Sequence, residues 1–81
     1  MIKKGNYTQE NVQVYVRDLI PYQFNTKRHS DTQVRQLADS MNKAYIDRIV
    51  VDEKNVIVKG HCRRMAAELL GWETIEVIKL H

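Results

Sequence analysis

Ile49-Val50-Val51 and Val56-Ile57-Val58 are two β-branched runs separated by the four polar residues Asp52-Glu53-Lys54-Asn55. Side chains of that kind favour the pleated backbone, and a short polar link forces the second run back along the first, so an antiparallel hairpin is expected. The second run stops at Lys59-Gly60, and a helix is expected from about His61 to Leu70, closed by Gly71 in the place where a left-handed residue ends a helix. Thr74 to Leu80 reads as a further strand.

Upstream, Val12, Val14 and Val16 alternate with Gln13, Tyr15 and Arg17, which predicts a half-buried first strand. Met1 to Asn11 is polar, has neither strand nor helix period, and is expected to be a flexible arm, leaving residues 12–81 as the domain. Asp18 to Pro21 turns the chain, and Tyr22 to His29 is an irregular basic connection. Ser30 then caps a helix that starts near Asp31, with Gln33 completing a capping box. Val34, Leu37, Ala38 and Met41 give this helix one apolar stripe. Asp31, Arg35, Asp39 and Lys43 climb the opposite face as a solvated salt ladder.

With 81 residues, 43% of them hydrophobic, the chain has material for one core and no more. No apolar run reaches the roughly 18–20 residues of a membrane span. The one cysteine cannot form an internal disulfide and no signal segment opens the chain, so a cytoplasmic setting is expected. A net charge of +3 leans weakly toward anionic partners. The predicted class is α+β, in the order strand, helix, strand, strand, helix, strand.

Lys59 to Ala67 is the segment that carries chemistry. Gly60 permits a tight turn and close backbone approach, and the amides after it lack helical partners. Arg63 and Arg64 stand where the helix dipole disfavours cations unless an anion is present. Arg63 has no partner in its own helix and its guanidinium suits bidentate phosphate contact, whereas Arg64 can pair with Glu68. His61 can bond a phosphate oxygen, act in proton transfer, or merely cap the turn. Lys27, Arg28 and His29 precede the other helix start; they are a solvated loop or, if the two helix N-termini share one end of the sheet, a second wall of the same site. Cys62, Met65, Ala66, Leu69 and Leu70 fall on one stripe, so Cys62 is expected to be a core thiol of low reactivity. A zinc site from His61, Cys62 and His29 or His81 lacks close ligand pairs, and no metal site is expected.

The run Val12 to Leu80 resembles the ParB/sulfiredoxin-like fold, above all the short ParB-like nuclease-type domains. The likeness is carried by Asp18-Leu19-Ile20-Pro21, by Asn25 with Lys27-Arg28-His29-Ser30-Asp31, and by Leu37-Ala38-Asp39-Ser40-Met41. Further on it rests on Ile49-Val50-Val51-Asp52 and on Gly60-His61-Cys62-Arg63 with Ala66-Ala67 and Leu70-Gly71. It implies a single small domain with a mixed sheet, and a phosphate-binding turn that partition proteins use for CTP and sulfiredoxins for ATP. Gly60 and Arg63 match the Gly-x-x-Arg frame. His61 stands where partition proteins have Glu and sulfiredoxins the reactive Cys. Without that carboxylate, metal-assisted hydrolysis and nuclease chemistry lose a group to help hold the ion. Relatives often read Asn-Pro-Arg where this chain has Asn25-Thr26-Lys27, and Asn-Pro or Gln-Pro where it has Asp47-Arg48.

The implied function is binding of a phosphate-bearing ligand in a DNA-related process of a phage or mobile element. The ligand would be a nucleoside triphosphate with Mg2+ or a nucleic-acid backbone, held by Gly60, His61, Arg63 and Arg64 with Lys27, Arg28 and His29 opposite. A non-catalytic interaction module with a decayed pocket is the alternative, with a protein partner or homodimer, and a nuclease or phosphotransferase the third. Neither helix carries a base-reading row of side chains, so sequence-specific DNA recognition is not expected. The chain stops just after its last strand, as a fragment or a minimal family member would.

Overall fold

The computed structural model describes residues 8–24 and 28–81. The expected hairpin forms, with β2 (Ile49–Val51) antiparallel to β3 (Ile57–Lys59). Asp52 builds its turn: Oδ1 accepts from the Lys54 N–H at 2.8 Å and from the Val56 N–H at 3.0 Å. Asn55 takes the left-handed conformation, φ 66°, which an Asn tolerates better than most residues.

β1 (Gln9–Tyr15) and β4 (Thr74–Leu80) pair antiparallel, and β4 runs parallel to β2. The result is a mixed four-stranded sheet in the order β1-β4-β2-β3. β1 starts three residues before the expected Val12, because Gln9 to Asn11 pair through their backbone with Leu80 to Ile78, which needs no apolar pattern. The expected arm to Asn11 is corrected to that extent, and its residues 1–7 lie outside the described ones. Val16 leaves the strand for a single 3-10 turn, Val16–Asp18, yet stays buried as its alternation implied.

α1 (Asp31–Lys43) carries the expected capping box. The Ser30 hydroxyl accepts from the Gln33 N–H at 3.1 Å, and Gln33 Oε1 accepts from the Ser30 N–H at 3.0 Å. Val34, Ala38 and Met41 are buried and Leu37 packs against the same core. Asp31, Arg35, Asp39 and Lys43 are exposed, and among the described residues no ion pair forms between them, so the ladder is a solvated face.

α2 (His61–Leu69) ends in a Schellman motif. Trp72 donates to the Ala67 carbonyl at 3.1 Å, Gly71 to that of Glu68 at 3.0 Å, and Gly71 sits at φ 74°. Its buried face differs from the expected stripe. Ala66 and Ala67 are fully buried in the core, letting the helix lie close on β2, while Met65 and Leu69 are turned outward. Among the described residues no helix is long and apolar enough to cross a membrane.

Candidate phosphate-binding site

Gly60 has a reason to be glycine that lies inside the fold. Its φ is 103°, and a Cβ there would stand 3.2 Å from the Cα of Ile49. The hairpin returns the chain so that the residue after β3 crosses the start of β2, and only a bare backbone fits. No side chain caps α2. The Arg63 and Arg64 amides share the Gly60 carbonyl, at 3.0 and 3.3 Å, so among the described residues the His61 and Cys62 amides are the pair left without an acceptor.

His61 is tied to the loop before α1. Its Nε2 accepts a hydrogen bond from the Tyr22 N–H at 3.2 Å, which requires a neutral ring with the proton on Nδ1 and leaves Nδ1–H as its donor. Burial lowers the imidazole pKa below 6.5, and the charges of Arg64 and then His29 push it the same way. Arg64 and His29 are thus within electrostatic reach of His61, Arg28 is exposed beside His29 in sequence, and Lys27 lies outside the described residues.

Arg63 finds a partner outside its helix. Although it has no partner in its helix, its Nη2 lies 3.3 Å from Asp47 Oδ2, in the loop before β2. The same hairpin explains this, since it sets the residues before β2 beside those after β3. That loop is fixed by Tyr45, whose hydroxyl accepts from the Ile49 N–H at 3.0 Å and donates to the Glu76 carbonyl at 2.9 Å, and by Arg48, paired with Glu76. Arg64 forms the expected pair with Glu68, at 3.0 Å. Adjacent helical residues diverge by about 100°. Arg63 thus borders a groove of about 200 Å³ with Leu37, Met41, Ala44 and Asp47, whereas Arg64 borders one of about 400 Å³ with Val16, Arg17, Trp72 and Glu73.

The helix N-termini do not share one end of the sheet as conjectured. Asp31, Val34 and Arg35 at the start of α1 lie beside Met65, Glu68 and Leu69 near the end of α2, and the end of α1 lies beside Arg63. The Tyr22 backbone reaches His61 instead. Cys62 packs against the core, and burial pushes its thiol pKa up despite the nearby Arg63 charge, which opposes thiolate chemistry. Asp47 and Arg17 are neighbours that sequence reasoning did not place. The Asp47-Arg48 departure was visible, but its link to Arg63 needed the hairpin geometry.

This small α+β fold with a mixed four-stranded sheet and two helices is shared with ParB N-domains. The chain aligns with a pNOB8-like ParB N-domain over 99% of its length, with a TM-score of 0.76 and 20% identity, and covers 30% of that longer chain. A C2221 crystal form of the pNOB8-like ParB-N domain gives the same TM-score, 0.76, over 95% of this chain, 32% of that chain and 20% identity. The chain thus spans about a third of those proteins. No family model matches it. Its sequence is 39% identical over 66 residues to the ParB-like nuclease domain-containing protein YnaK of Escherichia coli (strain K12), spanning 80% of this chain and 76% of YnaK. The chain belongs to the ParB-like domain family that includes YnaK.

Proposed function

We propose that this domain binds a phosphate-bearing ligand, a nucleotide or a nucleic-acid backbone, at the N-terminal end of α2. The observation that carries the reading is the hydrogen bond from Tyr22 N–H to His61 Nε2, which brings a basic loop against an uncapped helix start. The Arg64 and His29 charges act on His61 there, beside the open His61 and Cys62 amides. Phosphate oxygens would accept from those amides and from His61 Nδ1–H, while Arg63 and Arg64 would join from either side by exchanging Asp47 and Glu68 for the ligand. Among the described residues no three His, Cys, Asp or Glu side chains group to hold a metal, so Mg2+ would arrive on a triphosphate. Such binding suits the DNA-related, mobile-element setting that the family resemblance implies.

Calorimetry with CTP, ATP, GTP and ADP, with and without Mg2+, and with a short DNA duplex tests the reading. One class should bind wild type, and Arg63→Ala and Arg64→Ala should weaken it by an order of magnitude or more with the fold intact, charge-assisted contacts being worth about 1.5–3 kcal/mol each. Duplex binding should also fall steeply with salt. Equal binding by wild type and both variants would count against the site. A second reading, a non-catalytic interaction module, is favoured by the carboxylates that already meet both arginines. It predicts no binding from the panel even after Asp47→Asn frees Arg63. Metal-dependent turnover of nucleotide or plasmid would instead point to an enzyme.

A further inference from the structure

The two edges of the sheet are built differently. β3 is three residues long, ends in Lys59 and lies next to a register shift in β2. Ile20 also closes its start, accepting from the Ile57 N–H at 2.8 Å and bridging Val56. Shortness, lysine and irregular pairing are common ways to blunt an edge. β1 has none of them: its seven residues, Gln9 to Tyr15, run in unbroken register and include no Lys, Pro or bulge.

The ladder fixes where the β1 backbone points. Thr8 and His81 exchange both backbone hydrogen bonds, at 3.0 and 2.9 Å, and Val16 donates to the Glu73 carbonyl at 3.0 Å. In an antiparallel pair such couples recur at every second residue, so Glu10, Val12 and Val14 also direct their backbone groups to β4. Gln9, Asn11, Gln13 and Tyr15 direct theirs away from the sheet, and among the described residues nothing pairs with them.

We propose that β1 is a self-pairing edge. Two copies of the chain join through antiparallel β1 strands about a two-fold axis at Val12, merging two four-stranded sheets into one. A second copy is the occupant this strand fits, because in the register centred on Val12 its single charge, Glu10, meets no like charge and its half-buried Val12 and Val14 line up with those of the partner. With the axis there, Asn11 faces Gln13 of the second copy and Gln9 faces Tyr15, so every outward donor and acceptor of the strand is used. No like charges oppose one another: Glu10 is the strand's one charged residue and faces Val14 of the second copy. On the core side Val12 meets its own copy, and the half-buried row of Val12 and Val14 continues across the join. The contact is isologous and closes as a dimer.

Analytical ultracentrifugation over a micromolar-to-millimolar series, with residue-resolved amide exchange, tests this. The mass should double, and the Gln9, Asn11, Gln13 and Tyr15 amides should slow by about tenfold or more as concentration rises, while Val12 and Val14 are protected throughout. Gln13→Pro removes an outward donor and no bond to β4. Asn11→Lys sets two lysines diagonally across the axis. Either variant, with a native circular dichroism spectrum, should be monomeric; should Gln13→Pro not fold, Asn11→Lys alone decides. A monomer at all concentrations, a dimer whose outward amides exchange freely, or a dimer insensitive to the folded variants overturns the proposal. So does a monomer that takes up an extended peptide along β1.

Discussion

The two helix starts solve the same problem in opposite ways. α1 satisfies its first amides locally, with Ser30 and Gln33 bonding each other's backbone and Asp31 meeting the dipole. α2 has a left-handed glycine, no side-chain cap and no acid in its first turn, and it gathers His61, Arg63 and Arg64 instead. A helix end whose electrostatic demand is met by its own sequence is structural. One whose cations are met only by side-chain carboxylates beyond its first turn, the exposed Asp47 and Glu68, leaves the dipole itself unanswered, which is the basis of the phosphate-binding proposal.

The largest expected effect comes from forcing a side chain onto the second start. Gly60→Ala combines a left-handed φ of 103° with a contact of 3.2 Å to the Ile49 backbone, and should cost about 3 kcal/mol. Gly71→Ala is the control. Its φ is also positive, 74°, but nothing lies within 4 Å of the added Cβ, so about 1 kcal/mol is expected. Urea denaturation of the two variants separates conformation from crowding, and equal losses would mean that the approach to Ile49 is not what demands glycine.

Next in size is the first start. Ser30→Ala should cost about 1 kcal/mol, the usual value for a lost N-cap. Because the box is reciprocal, Gln33→Ala added to Ser30→Ala should cost less than it does alone. Strict additivity in a double-mutant cycle would show that the two bonds act independently.

These contrasts also mark what the sequence made legible. The capping box and the Gly71 stop are written within a few residues, as local hydrogen-bond chemistry, and both were readable to the residue. The mixed sheet and the α+β class followed from the order of elements together with the family resemblance. Three features depended on tertiary placement. The Arg63 partner, sixteen residues away, was invisible until the hairpin folded back. Met65 and Leu69 fit an apolar stripe, yet the pair Ala66-Ala67 is what lets α2 approach the sheet, and that choice turns the other two outward. The strand pairing of Gln9 to Asn11 is backbone chemistry, which leaves no hydropathy signal.

The smallest effect is electrostatic and separates the two helix starts by pH. His61 has a folded pKa below its unfolded value of 6.5, through burial first and then the charges of Arg64 and His29. Above 6.5 the ring is neutral in both states and contributes its full share of stability. As pH falls below 6.5 the unfolded chain takes up the proton first, so stability declines until the folded pKa is passed, where the loss levels off. Protonation also places an N–H on Nε2 against the Tyr22 N–H that it accepts in the folded chain. Urea midpoints between roughly pH 8 and pH 5 should therefore fall more for wild type than for His61→Gln, whereas Ser30→Ala should run parallel to wild type, since neither Ser30 nor Gln33 titrates. Parallel curves for wild type and His61→Gln would remove the imidazole from the account. A phosphate bound beside His61 favours the imidazolium, so added nucleotide should shrink the acid-side loss at the α2 start and leave the difference due to Ser30 unchanged.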